Sequence, residues 1–134
     1  MSNYYCASRT NYFRVKDHVA FQSWAQHRGV QVISNSKDHP GHFALLPDPS
    51  DDGAFPDYDF DQDEEIDFMA ELSGHLAEDS VAVILETGAE KLRYLVGYAV
   101  AVNAMGDRVE ITLNNIYSLA ARTFGGPQPT RAEY

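Results

Sequence analysis

The sequence contains no lysine and no arginine between residues 38 and 90. This stretch carries sixteen aspartate and glutamate residues, whereas the segments before and after it have a net positive charge. The net charge of the whole chain is −10. Because binding to phosphates requires clustered basic side chains, this pattern argues against nucleic acid as a direct ligand. It favours a basic partner protein or a cation instead.

Cysteine, long apolar runs and phosphate-binding loops are also scarce or absent. Cys6 is the only cysteine, which excludes an intrachain disulfide and fits a reducing compartment. The longest apolar stretch, residues 95–104, is shorter than the roughly 20 residues of a membrane helix. Residues 1–9 lack the apolar run of a secretory signal, so we expect neither export nor a membrane span. Without a glycine-rich phosphate loop, the sequence predicts no nucleotide cofactor, and we expect no other cofactor.

The length and composition of the chain predict one domain. Its 134 residues are 44% hydrophobic and 12% aromatic, which is enough for a buried core. We expect the domain to span residues 1–126. Residues 127–134 follow two glycines and are predicted to form a frayed tail.

Hydrophobic periodicity predicts three helices and six strands. The helices are predicted at residues 18–28, between Asp17 as N-cap and Gly29, at 64–78, and from Asn114 or Asn115 to Phe124. The strands are predicted at 12–16, in a hairpin formed by a strand from residue 30 and one at 42–46, and in an antiparallel meander at 81–86, 91–103 and 108–112, with a turn at 87–90. This β-α-β-β-α-β-β-β-α order predicts an α+β fold, with an antiparallel sheet and helices packed mainly on one face.

The residue types that carry catalysis or bind metals form no recognisable motif. His39 and His42 have a spacing found in metal sites, but zinc would need further nitrogen or sulfur ligands, so we interpret them as a turn and a strand histidine. The acids from Asp57 onward do not form a calcium loop, because glycine and glutamate are missing at the required positions. A nucleophile made from Cys6 and a histidine stays open as an alternative. We therefore predict no catalytic residue and no metal site.

The alternation of acids with other side chains from Asp57 to Asp63 is the main functional signal. In an extended strand alternate residues lie roughly 6.6 Å apart, so the four aspartates of this segment are predicted to form a row with a phosphate-like spacing. Tyr58 and Phe60 would point to the other side as anchors. The predicted partner-binding residues are Asp57, Tyr58, Asp59, Phe60, Asp61, Asp63, Glu64, Glu65 and Asp67. The alternative is a solvated loop that aids solubility, with the acids at 63–67 favouring the first turn of a helix.

Two segments of the chain carry a likeness to a known group. They are Ser8–Asp17, with the sequence SRTNYFRVKD, and Gly88–Tyr98, with the sequence GAEKLRYLVGY. Both resemble small acidic accessory proteins carried by phages and conjugative elements of bacteria, a group that includes anti-CRISPR and antirestriction proteins. The resemblance implies a bacterial cytoplasmic setting and a protein target in host defence. It carries no catalytic motif and assigns no residue roles.

The charge pattern and the resemblance lead to one hypothesis and two alternatives. The hypothesis is a non-enzymatic inhibitor that binds the basic nucleic-acid-binding surface of a host defence complex through its acidic segment, as a nucleic-acid mimic. The first alternative is an interaction or immunity-type module for another basic protein. The second is a small enzyme that uses Cys6 or a histidine.

Overall fold

The computed structural model describes residues 4–50, 53–90 and 94–132. Along the chain the elements are β1 (Tyr4–Thr10), α1 (His18–Arg28), β2 (Gln31–Ile33), β3 (Ala44–Leu46), β4 (Tyr58–Asp59), β5 (Glu64–Glu65), α2 (Phe68–Ser73), β6 (Val81–Glu90), β7 (Tyr94–Asn103), β8 (Arg108–Thr112) and α3 (Asn115–Phe124). Four strands form an antiparallel sheet in the order β1-β6-β7-β8. The predicted α+β class with an antiparallel sheet is confirmed.

Helices α1 and α2 cover one face of this sheet and enclose the core with it. Phe21 of α1 and Leu72 of α2 are fully buried, and they join one apolar cluster with the inward-facing residues of β6 and β7. Those residues are Ala82, Ile84, Val100 and Val102. Because side chains alternate along a strand, one set of residues in β6 and in β7 joins the core and the other set faces away.

The limits of α1 follow from its two caps. The Asp17 carboxylate accepts a hydrogen bond from the backbone N–H of Ala20 at 3.0 Å, which satisfies one of the donors left free at a helix start. Gly29 ends the helix with φ = 74°, a left-handed conformation that favours glycine. Both boundaries are those predicted from the sequence.

The first strand differs from its prediction. It runs over Tyr4–Thr10 and pairs with β6, whereas the predicted strand at residues 12–16 contributes only isolated bridges from Phe13 to Phe43 and from Val15 to Leu76. The alternation at 12–16 reflects burial of Phe13 and Val15 rather than membership of a sheet. Strands β2 and β3 form the predicted hairpin as a separate two-stranded sheet.

The middle helix and the following strand also have different limits. Helix α2 begins at Phe68 and ends at Ser73, so Asp63, Glu64 and Glu65 lie before it, and their predicted place in its first turn is wrong. Strand β6 continues to Glu90 through the predicted turn at 87–90. Residues 91–93, predicted to begin the next strand, lie outside the described residues, as do 133 and 134 of the predicted tail.

No described helix covers the face of the four-stranded sheet that is turned away from the core, and beyond the turn that precedes it, the described contacts of α3 are with the short tail that follows it. No residue of α3 is buried, although its sequence is strongly amphipathic. None of the helices in the described part of the chain is long and apolar enough to span a membrane.

Candidate functional site

The acidic segment is a short β-hairpin and not one extended strand. Tyr58 pairs with Glu65 and Asp59 with Glu64, and residues 60–63 form the turn between them. The backbone N–H of Ile66 donates to the carbonyl of Asp57 at 3.0 Å and extends the pairing. We call residues 57–65 the acidic hairpin.

The predicted row of four aspartates is wrong, because Asp59 turns inward. Its Oδ1 accepts from the backbone N–H groups of Asp61 at 3.0 Å and Gln62 at 3.1 Å, a local turn that aspartate favours. Its Oδ2 accepts from Arg28 at 2.9 Å. At the other end of the turn, Asp63 has a positive φ of 52° and accepts a hydrogen bond from the Tyr58 hydroxyl. Two of the four carboxylates are therefore held within the hairpin.

Arg28 joins the acidic hairpin to both core helices. Its Nε and Nη2 donate to the two carboxylate oxygens of Glu71, both at 2.8 Å, while Nη1 reaches Asp59. The Trp24 indole N–H adds a third donor to Glu71 at 2.8 Å. Only 14% of the Arg28 side chain is exposed, so these charge-assisted bonds are shielded from water. The sequence alone did not identify Glu71, since the two ends of this contact are 43 residues apart.

The remaining acids of the hairpin face solvent around an exposed aromatic ring. Asp57, Asp61, Glu64 and Glu65 are exposed, and Phe60 at the tip of the turn is 86% exposed. The Phe60 ring contacts that of Tyr58 at 4.8 Å between centroids, so both lie together and not on a face opposite to a row of acids. Single exposed apolar side chains are common on protein surfaces, so Phe60 marks a candidate binding element only together with the exposed carboxylates of the same hairpin.

Asp67, the last of the predicted partner-binding residues, has a structural role. It is the N-cap of α2, where its Oδ1 accepts from the backbone N–H of Ala70 at 3.2 Å. The same oxygen accepts from Arg108 Nη2 at 2.6 Å, and this hydrogen bond is the main cause of the lowered pKa of Asp67. Its charge is thus already engaged by β8.

A cavity of about 550 Å³ opens beside the hairpin, between residues 54–57, the start of α2 and the sheet. Glu86 lines it, is 8% exposed, and accepts from the Ser8 hydroxyl at 3.0 Å and the Tyr98 hydroxyl at 3.3 Å. Burial, followed by the nearby charge of Glu86, raises the pKa of Tyr98 to about 12. The apolar walls of the cavity are formed by Phe55, Pro56, Phe68, Met69, Ile84 and Val100. Apolar walls with an internal carboxylate suit the aliphatic stem and cationic head of a lysine or arginine.

The histidines considered for catalysis or metal binding lie in turn and packing contacts. His39 stacks on Tyr12, and His42 contacts the carbonyl of Pro40 through Nδ1 at 2.8 Å. His75 packs on Trp24, and its burial lowers its pKa, which favours the neutral ring. In the described part of the chain, no three His, Cys, Asp or Glu side chains are grouped to hold a metal ion.

Acidification is expected to destabilise the protein through the Arg28 contacts. The N–H of Gln62 and then Arg28 lower the pKa of Asp59, and the hydrogen bond from Arg28 lowers that of Glu71. Their pKa values in the folded state lie below the unfolded values of about 3.9 and 4.3, so the stabilisation is complete above about pH 5 and is lost as the pH falls through the lowered values. Urea unfolding followed at decreasing pH measures this loss. An unfolding midpoint that rises on acidification below about pH 4 would contradict it.

Comparison of the chain with protein-family models, with curated proteins and with solved structures gives no match. The acidic hairpin, its Arg28 contacts and the adjoining cavity are the structural basis for the function proposed below.

Proposed function

We propose that this protein is a non-enzymatic inhibitor that docks its acidic hairpin on a basic, nucleic-acid-binding surface of a host defence complex. The observation that carries the proposal is the exposed Phe60 at the tip of a hairpin whose other exposed residues are mostly acids. Negative charge steers the encounter with a basic surface, while a buried aromatic anchor supplies most of the affinity in many interfaces. The bacterial host-defence setting rests on the resemblance of Ser8–Asp17 and Gly88–Tyr98.

The hairpin is well suited to this role because it is ordered before binding. Arg28 fixes Asp59 to α1 and α2, and Tyr58 is bonded to Asp63. A preformed element loses less conformational entropy when it binds than a flexible loop of the same composition. The inward turn of Asp59 removes the regular phosphate-like row, so the inhibitor acts through charge and shape more than through a copy of a nucleic-acid strand.

The cavity beside the hairpin gives the partner a place to insert a basic side chain. The exposed Asp57 and the buried Glu86 both line the cavity. An arginine or lysine that follows the carboxylates inward would bury its stem against Phe55 and Met69. The cavity therefore favours a basic protein as the partner. A surface that only repelled nucleic acid would not need such a cavity.

The alternative partner is a basic protein unrelated to nucleic acid. The same carboxylates would attract it, and the same Phe60 would anchor it. Competition separates the two partners: double-stranded DNA displaces the protein from a nucleic-acid-binding surface and does not displace it from an unrelated basic surface.

Charge reversal at the hairpin is expected to abolish capture of the partner. The test is a pull-down from bacterial lysate at low and high salt with the chain carrying Asp61→Lys and Glu64→Lys. The matched control carries Asp38→Lys and Glu78→Lys, which changes the net charge equally at exposed sites outside the hairpin. Capture of the partner by the wild-type chain should fall steeply with salt, because ions screen the attraction between opposite charges. Capture should disappear in the hairpin variant, whose carboxylates no longer attract the partner, and persist in the control.

Equal capture by the two variants would overturn the proposal, since the acids of the hairpin would then contribute no more to binding than exposed acids elsewhere. The captured protein is next purified and mixed with double-stranded DNA as competitor. Loss of its complex with the wild-type chain supports a nucleic-acid-binding surface as the target, and retention of the complex assigns the alternative partner.

A further inference from the structure

The uncovered face of the four-stranded sheet is mainly apolar in its described part. Because β6 and β7 turn their even-numbered residues to the core, their odd-numbered residues form this open face. Arg9 is its only charged residue among the described strands. Its large apolar members are at least about half exposed: Val81, Leu85, Leu95, Val109, Ile111 and the adjoining Leu113.

Small residues of β7 form a groove along the centre of the open face. Ala99 and Ala101 are its floor, flanked by Val83 on β6 and by Val109 and Ile111 on β8. Two shallow depressions, with volumes of about 180 and 250 Å³, lie along this floor. Neighbouring strands lie about 4.8 Å apart, so the walls are separated by roughly 10 Å, which is close to the diameter of an α-helix.

Helix α3 is complementary to this groove in shape and chemistry, and its apolar side is exposed in the described part of the chain. Ile116, Leu119 and Phe124 lie along one side of it and are 56%, 49% and 84% exposed. The tail contacts the helix at Tyr117, where Arg131 lies over the ring, and leaves Ile116, Leu119 and Phe124 exposed. A ten-residue amphipathic helix whose described contacts beyond the preceding turn are with a short tail is too short to be stable in water by itself. Its apolar side therefore requires a surface to pack on.

Helix α3 does not lie in the groove of its own sheet, since none of its residues lines the two depressions. Only Leu113 and Asn114 separate β8 from α3, and Asn114 is already helical with φ = −67° and ψ = −16°. Leu113 also continues the ladder, because its N–H donates to the carbonyl of Gly97 at 3.0 Å. The helix thus leaves the sheet edge with no loop that would fold it back.

We infer that the protein is a homodimer in which α3 of each copy lies in the alanine-floored groove on the open face of the other copy. Exchange of identical helices between two copies is an economical route to a symmetric dimer. The exposed side chains of the open face and of α3 present on the order of 500 to 1,000 Å² of apolar surface per chain, similar to the ~800 Å² per partner of a stable interface.

The charge distribution permits this association despite the net charge of −10. The acidic hairpin is bonded to Arg28 of α1, on the core side of the sheet. The strand residues of the open face contribute Arg9, and α3 contributes Arg122. The acids that line the two depressions are Asp107 and Glu110. Two copies therefore meet through surfaces that carry charges of both signs, and the inference does not depend on the function proposed for the hairpin.

Sedimentation velocity of the full chain is expected to give twice the chain mass of 15.0 kDa. Leu119→Glu places a carboxylate on the apolar side of α3 and should raise the dimer dissociation constant at least about 100-fold. Ser118→Glu makes the same change in charge on another side of the helix and should leave the dimer intact. Far-UV circular dichroism verifies that both variants are folded.

Mixing two defective chains tests the exchange itself. Ala101→Glu blocks the groove and should also give monomers. A mixture of Leu119→Glu and Ala101→Glu chains should regain dimers, because one intact helix meets one intact groove. A wild-type chain that stays monomeric at about 100 μM would overturn the inference. A folded Leu119→Glu variant that dimerises as well as Ser118→Glu, or a mixture that stays monomeric, would overturn the exchange of α3.

Discussion

Replacing Arg28 with methionine is expected to lower the free energy of unfolding by about 2 to 3 kcal/mol. Methionine keeps the length and apolar contacts of the stem but removes all three donors to Glu71 and Asp59. The carboxylates, which are 29% and 9% exposed, then remain partly buried without their counter-charge. Removing one member of such a pair costs more than the pair contributes to stability, because the other member stays desolvated.

The matched control is Arg14→Met. Arg14 pairs with Asp79, but their side chains are 45% and 73% exposed, so water replaces the lost contact and the change should be below about 0.5 kcal/mol. Urea unfolding of both variants gives the comparison. The Arg28→Met protein should also depend less on pH below about pH 5, since the pKa values of Glu71 and Asp59 return toward their ordinary range. Similar losses in the two variants would show that Arg28 does not hold the hairpin.

The same substitution at two phenylalanines is expected to separate stability from binding. Phe21 is fully buried, with its ring against those of Phe13, Trp24 and Phe43. Phe21→Ala should lower the free energy of unfolding by about 3 to 5 kcal/mol, because it leaves a cavity in the core. Phe60→Ala should change stability by less than about 0.5 kcal/mol, because its ring is already in water.

Binding should follow the opposite order. If Phe60 is the anchor of the acidic hairpin, Phe60→Ala should weaken the complex with the captured partner at least about 30-fold. Titration calorimetry with the purified partner measures this loss, and thermal unfolding of the same samples measures stability. A Phe60→Ala protein that binds like the wild type would leave the proposed site without its anchor.

The features that the sequence predicted correctly are those determined by neighbouring residues. Asp17 and Gly29 mark the ends of α1 because a cap acts within one helical turn. Strand β8 matches its predicted limits because its alternation is local. The same holds for the end of α3 at Gly125, whose φ is 69°.

The features that local sequence patterns did not predict depend on residues far apart in the chain. Asp59 alternates with its neighbours like Asp57, but it is held by the N–H groups of Asp61 and Gln62 and by Arg28, which lies 31 residues earlier in the chain. The buried position of Glu86 becomes visible only when β1 brings Ser8 to it, 78 residues away along the chain. Likewise, the apolar pattern of α3 predicted a helix correctly, but no local signal indicated that its own chain offers it no surface.

Trp24 gives this molecule an optical reporter at a useful position. It is the only tryptophan, and its ring lies 5.1 Å from that of Phe68 and 5.0 Å from that of His75, with the indole N–H on Glu71. Its emission therefore responds to the junction of α1, α2 and the acidic hairpin. Helix α3 and the open face lie outside this environment, so fluorescence follows detachment of the hairpin in the wild-type chain, without any label and separately from association of the copies.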